Sequence, residues 1–229
     1  MMGRLRALAD ALRGRRTPRD PKLREELAYW TQAKAREGAL DRSHYEPTYT
    51  TVLGLDRTFY EGKRILDAGC GPRGSLEWAT MAAERVGLDP LARAYQRLGV
   101  SRHAMRYINA PVERMPIDDA RFDVVCCFNM LGHVDDPDRA ISEMTRVLAP
   151  GGHLLLVTDL NHPTSVTEPH AFSWDIITRF KPPLRVSWER HLEASAPSLY
   201  RCLEVAEPYD HERPETRRGI LLARLHKPS

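Results

Sequence analysis

Cysteine is scarce in this chain, with four residues, Cys70, Cys126, Cys127 and Cys202, among 229. Their spacing matches neither paired metal ligands nor a disulfide framework, which excludes a small disulfide-held scaffold and fits a reducing compartment. No apolar run reaches the ~20 residues needed to cross a bilayer, and the N-terminus does not read as a signal peptide. Stable membrane insertion is therefore not expected, and a cytoplasmic location is. Lysine is sparse as well, five of the 34 basic residues, a bias that points to a GC-rich genome more than to a function. Internal repeats and low-complexity tracts are absent, so solenoid and linker-like architectures are set aside. What remains is a chain with 42% hydrophobic residues, enough to fill one globular core. The expected division is an N-terminal helical extension or lid over 1–50 and the main domain over 51–229.

Charge is uneven. Before residue 25 stand Arg4, Arg6, Arg13, Arg15, Arg16, Arg19, Lys22 and Arg24 against Asp10 and Asp20, whereas the whole chain carries only +3. Leu5, Leu8 and Leu12 recur there at near-helical spacing and Gly14 closes the pattern, which predicts a short amphipathic helix. Three readings stand for it: a helix packed on the domain or capping a cleft, a contact with an anionic membrane or polymer, and a frayed tail. A second helix is predicted over 21–36, with Leu23, Leu27 and Trp30 on one face and Gly38 as its stop.

The most informative stretch is 65–74, ILDAGCGPRG. An apolar strand ends in Asp67 and runs into Gly69, Gly71 and Gly74, and Asp89 follows a second short apolar run. A chain leaving the carboxyl end of a central parallel strand must turn sharply with its backbone close to a ligand, and glycine removes the side chains that block that approach. An acidic residue at the next strand tip is placed to hold both ribose hydroxyls of a nucleotide cofactor, each such bond contributing about 1.5–3 kcal/mol. A nicotinamide dinucleotide fits the same glycines, but a carboxylate at position 67 repels a pyrophosphate and attracts a cationic group.

Further along come, in order, Met115-Pro116, Phe122-Asp123-Val124-Val125, Arg146-Val147-Leu148 and Pro150-Gly151-Gly152. From residue 63 to 159 the chain thus resembles the class I S-adenosylmethionine-dependent methyltransferases, particularly the small single-domain, type 11-like branch whose patterns read D-x-G-C-G, L-P-F, F-D-V-V and R-V-L-x-P-G-G. The resemblance implies S-adenosylmethionine as cofactor and S-adenosylhomocysteine as product. It places Asp67, Gly69 and Gly71 at the amino-acid moiety, Asp89 at the ribose, Val112 and Glu113 beside the adenine, and Phe128 and Asn129 at the methionine ammonium. Pro111 departs from the pattern, which commonly has Asp there; proline offers neither a carboxylate nor an amide donor. Arg73 is read either as a partner of the cofactor carboxylate or an anionic substrate, or as a solvated surface arginine.

Methyl transfer is an in-line displacement, for which alignment alone supplies about 7–11 kcal/mol. A hydroxyl acceptor gains from a base, and histidine titrates near ~6.5. His162 is the first choice, His133 the second, and His170 follows; the resemblance also allows His133 a structural hydrogen bond, and a reaction without a side-chain base is the remaining reading. Tyr45 and Tyr49 are expected either to line the cleft from a lid or to pack in the core, and the loop carrying His170 and Trp174 to form the acceptor pocket. No metal site is expected, because prolines make the segment of His162, Glu168 and His170 a loop rather than a helical ligand set. The resemblance disfavours nucleic-acid methylation, since neither a D/N-P-P-Y element nor a Pro-Cys nucleophile follows Phe128. The expected activity is O-methylation of a polar small molecule, namely a sugar, glycan precursor or natural-product intermediate. N-methylation of a similar acceptor, or a non-catalytic S-adenosylmethionine-binding partner or regulatory subunit, are the alternatives.

The expected fold is α/β: a doubly wound, seven-stranded, mostly parallel sheet of Rossmann-like methyltransferase type, with an antiparallel C-terminal strand and an N-terminal helical extension. Strands are predicted near 63–68, 85–88, 105–109, 122–128 and 152–158, with helices near 75–84, 91–98 and 137–148. A last pair, 201–207 and 218–226, is predicted to form an antiparallel hairpin because its loop is too short for a crossover helix.

Overall fold

A computed structural model describes residues 20–40, 42 and 44–229. The helix expected around Leu5, Leu8 and Leu12 lies outside these residues. In chain order the described elements are helices α1 (Pro21–Glu37) and α2 (Tyr45–Tyr49), strands β1 (Arg64–Ala68), β2 (Glu84–Leu88), β3 (Arg106–Ile108) and β4 (Phe122–Phe128), helix α3 (Pro137–Val147), strands β5 (Leu148–Leu160) and β6 (Arg185–Glu193), helix α4 (Leu199–Val205) and strand β7 (Gly219–His226). The seven strands form one sheet in the order β3-β2-β1-β4-β5-β7-β6. β1 to β5 pair parallel, and β7 runs antiparallel to both β5 and β6.

The central strands are apolar because both faces are covered. Adjacent residues of β4 alternate between two cores, with Val125 and Cys127 in one and Val124 and Cys126 in the other. All four cysteines are free and buried. α3 begins where Asp136 accepts a hydrogen bond from the Arg139 amide at 2.9 Å and Pro137 occupies the first turn, a cap and N1 pair that satisfies or removes orphan donors. Its buried residues Ala140, Ile141, Met144 and Val147 follow the helical period and face the first core; burying a side chain such as Met144 stabilises by roughly 1.5–3 kcal/mol. α1 is capped by Asp20 and closed at Gly38, whose amide reaches the Lys34 carbonyl at 3.0 Å. Its apolar stripe, Leu23, Leu27 and Trp30, packs on Leu91, Tyr95, Leu98 and Val100.

Three expectations are corrected. Residues 75–84 form turns leading into β2, and 91–98 a turn followed by the 3-10 segment Ala94–Leu98; in the first crossover the Glu77, Ala79 and Ala82 amides donate to the Gly74, Leu76 and Ala79 carbonyls, three-residue turn bonds in place of the four-residue bonds of a regular helix. Residues 201–207, expected as a strand, lie mostly in α4, where Ser198 caps the Arg201 amide and Cys202 and Leu203 are buried on one face. The partner of β7 is instead β6, an edge strand whose charged residues Arg185, Glu189, Arg190 and Glu193 disguise the half-buried alternation of Val186 and Trp188 and the buried Leu192. Charges on a sheet edge discourage pairing with other chains.

Candidate active site

The turn after β1 is built from backbone. Gly69 (φ 73°) and Gly71 (φ 59°) adopt left-handed conformations, which L side chains enter only with strain. The amides of Gly69 and Cys70 donate to the Leu88 carbonyl at 2.7 and 3.2 Å, tying the turn to the tip of β2. A Cβ on Gly69 would lie 2.1 Å from Cγ of Met130, and one on Gly71 would lie 3.4 Å from the Trp30 ring. Gly69→Ala is therefore expected to displace Met130 and strain the turn, abolishing measurable cofactor binding in calorimetry while leaving the sheet signal in circular dichroism. Unchanged affinity would contradict this reading of the turn.

Two carboxyls stand behind this turn. Asp67 is 2% exposed; its Oδ2 accepts from the Tyr49 hydroxyl at 2.8 Å and from the Ser75 hydroxyl. Asp89 is 7% exposed, accepting from the Gly71 amide at 3.1 Å and the Leu91 amide at 2.7 Å. Burial pushes Asp67 up to about 6, against the pull of the Ser75 and Tyr49 hydrogen bonds. It pushes Asp89 up to about 7, against the pull of its two amide donors, with Glu26 and Asp67 adding to the rise. Both folded values exceed the unfolded value of ~3.9. The stability these groups contribute is therefore complete below about pH 4 and is lost as pH rises through about 6 and about 7. The ligand-free protein should melt higher at about pH 5 than at about pH 8 on their account, and Asp89→Asn should flatten that slope; an unchanged slope would remove Asp89 from the explanation.

A cleft of about 600 Å³ opens over the carboxyl ends of β1, β2 and β4, with α1 along its wall. That volume lies within the range of small-molecule sites, and the crevice lies where open α/β sheets bind ligands. Among the expected site residues, Gly69, Gly71, Asp89, Val112, Glu113, Phe128, Asn129, Tyr45 and His133 line it. Asn129 leaves β4 in a left-handed conformation (φ 49°), and the Glu113 carboxylate accepts from the Asp135 amide at 2.7 Å, bracing the entry to α3.

Other expected residues are placed elsewhere. Asp67 faces inward onto Tyr49 and Ser75, and Tyr49 is a core residue whose ring lies 4.3 Å from that of Phe128. Arg73 forks onto the Glu37 carboxylate at 2.7 and 2.9 Å and lies over the Trp30 ring, clamping α1 to the glycine turn. His162 is buried behind Gly132, its Nδ1 2.9 Å from the Pro163 carbonyl. His170 stacks on Phe172, and Trp174 stacks on His191 at 4.1 Å beside Tyr209 and His211, away from the cleft wall.

The wall also holds Glu25 and Glu26 of α1, Met130 and Tyr200, which sequence reasoning did not assign to the site, together with Glu168 from the loop expected to form the acceptor pocket. Glu168 bridges two candidate bases, with one oxygen 3.0 Å from Nε2 of His133 and the other 3.7 Å from Nδ1 of His162. Burial by itself lowers the His133 imidazole, but hydrogen bonding to Glu168 and the nearby Glu26 and Glu168 charges leave it above its usual value. The same His133 bond outweighs burial at Glu168 and holds its carboxyl below the usual range. Among the described residues, no three His, Cys, Asp or Glu side chains are arranged to hold a metal ion, and no helix is long and apolar enough to cross a membrane. A glycine cradle that admits no Cβ at position 69, a buried carboxylate beside it, and an acidic wall fit a nucleoside cofactor carrying positive charge.

Residues 66–156 match the family model described as a methyltransferase domain. A ubiquinone biosynthesis O-methyltransferase of Alkalilimnicola ehrlichii is 40% identical over 46% of this chain and 45% of its own length. A malonyl-[acyl-carrier protein] O-methyltransferase of Enterobacter lignolyticus is 35% identical over 42% and 38%, respectively. The chain thus spans about half the length of the curated relatives it matches. Among solved structures, a complex between the Haloferax volcanii Trm112 methyltransferase activator and a methyltransferase aligns with a TM-score of 0.63 at 16% identity, over 93% of this chain and 100% of that one. Residues 66–156 thus form a class I S-adenosylmethionine-dependent methyltransferase domain, and the sheet order and the likeness to the solved structure show the matching fold.

Proposed function

We propose that this protein transfers a methyl group from S-adenosylmethionine to an oxygen of a polar small molecule, of the size of a sugar, a glycan precursor or a natural-product intermediate. The observation that carries the reading is the meeting, in one cleft, of the glycine turn, Asp89 and the His133–Glu168 pair. When bound, S-adenosylmethionine supplies a methyl carbon activated by its sulfonium. In this reading the backbone at Gly69 and Gly71 and the Asp89 carboxylate hold the cofactor, Val112 and Glu113 flank the base, and Phe128 and Asn129 offer strand-tip carbonyls. Met130 and Tyr45 exclude water from the acceptor side. The His133–Glu168 pair takes up the proton of the acceptor hydroxyl as a unit, Glu168 orienting the imidazole and stabilising its charge. We assign the base to His133 in preference to His162, because His133 is on the cleft wall and His162 is behind it. Residues 1–50 are read as an N-terminal extension, of which α1 lines the cleft, and 51–229 as the catalytic domain.

The direct test incubates the purified protein with S-adenosylmethionine and a pool of polar hydroxylated metabolites, and follows S-adenosylhomocysteine and acceptor mass. Formation of the product together with an O-methylated acceptor is expected. Binding of the cofactor without turnover across such pools would favour a non-catalytic S-adenosylmethionine-binding role.

A further inference from the structure

The charge of the cleft wall goes further than the reaction type. Seven carboxylate residues line the cleft against a single lysine, and no arginine lines it among the described residues. The lysine, Lys22, is paired with Asp135 across the mouth. Asp89 and Glu113 follow the tips of β2 and β3, Glu25 and Glu26 come from α1, with the Glu26 charge felt by both Asp89 and His133, and Glu168 comes from the loop after β5. Glu26 accepts from the Trp30 indole at 2.7 Å, so its carboxylate is held at the wall. An acceptor carboxylate or phosphate placed beside Glu25, Glu26 and Glu168 would meet like charges, and both the desolvation and the repulsion are costly.

The aromatic lining points the same way. Tyr45 and Tyr200 both line the cleft, and their rings meet nearly at right angles, 5.9 Å apart with an interplanar angle of 87°. α4 carries Tyr200 to this place from far along the chain. Ring faces joined to carboxylates attract ammonium groups through the ring quadrupole and through direct charge.

We propose that the acceptor is a cationic, hydroxyl-bearing molecule, an amino sugar or amino alcohol in its ammonium form, and that carboxylate and phosphate acceptors are excluded. The proposal rests on the methyltransferase reading above. In it, Glu25, Glu26 and Glu168 receive the ammonium, the Tyr45–Tyr200 corner packs its alkyl part, and the hydroxyl faces His133.

The test uses S-adenosylhomocysteine and three analogues in which nitrogen replaces the sulfur and carries a short arm ending in an ammonium, a hydroxyl or a carboxylate. Each is titrated into the full-length protein in a calorimeter. The ammonium arm is expected to bind about tenfold or more tighter than the carboxylate arm, with the hydroxyl arm between them. That gap should narrow as salt is raised, and in the double variant Glu25→Gln/Glu26→Gln the affinity ratio should fall toward unity. Both substitutions lie on one surface helix, outside the two large cores. If S-adenosylhomocysteine itself fails to bind, the cofactor reading falls and takes this inference with it. If it binds, and the hydroxyl or carboxylate arm is held as tightly as the ammonium arm, only the acceptor inference is overturned.

Discussion

Asp89→Asn is expected to weaken S-adenosylmethionine binding by about 10- to 100-fold, the value of one hydrogen bond to a charged group. The proposed role of the carboxylate is to accept from the ribose hydroxyls, and the amide keeps its shape while losing the charge and an acceptor. It also places an NH₂ group near the Gly71 and Leu91 amides, which now donate to Asp89, so the glycine turn loosens as well. The parallel ladders of β2 with β1 and β3 do not involve this side chain, and the fold should persist. Because burial pushes Asp89 up to about 7, wild-type affinity should fall as pH drops below that value and the carboxylate takes a proton. Ligand-free stability runs the opposite way, rising as pH drops. Calorimetric titration across pH separates the two trends; wild-type affinity in the variant would refute the ribose assignment.

His133→Ala is expected to lower kcat by about a hundred- to ten-thousandfold, the range of a positioned acid–base group, with cofactor affinity retained. Glu168→Gln should cost less and shift the pH profile toward acid, since the hydrogen bond and charge that hold the His133 imidazole above its usual value are weakened. His162→Ala should have a smaller effect, acting through its 3.7 Å approach to Glu168. Steady-state rates of the three variants decide between the histidines. A large loss in His162→Ala beside a near-normal His133→Ala would reverse the assignment.

The strand-tip wall of the cleft was legible in the sequence because Gly69, Gly71, Asp89, Phe128 and Asn129 sit within short, patterned segments. A strand that ends in Asp67 and turns through Gly69 and Gly71 brings bare backbone to a strand tip, and the unbroken apolar run from Val124 to Phe128 marks a strand buried on both faces. The acceptor side was not legible, because tertiary packing assembles it. Tyr200 arrives on a helix whose Ser198 cap and Leu199, Cys202 and Leu203 spacing are a readable signal, but the apolar residues near 202 fit a short strand as well. Glu168 gains its meaning only from standing between His133 and His162. Glu25 and Glu26 look like the solvated face of an amphipathic helix until α1 is laid along the cleft. The missed strand β6 has the same origin, since its polar residues report an edge rather than a loop.

Titration of the protein with S-adenosylmethionine, S-adenosylhomocysteine and NAD separates a methyl-donor site from a dinucleotide site. Micromolar binding of both sulfur nucleosides and none of NAD is expected. Binding of NAD, or of none of the three, would contradict the methyltransferase reading.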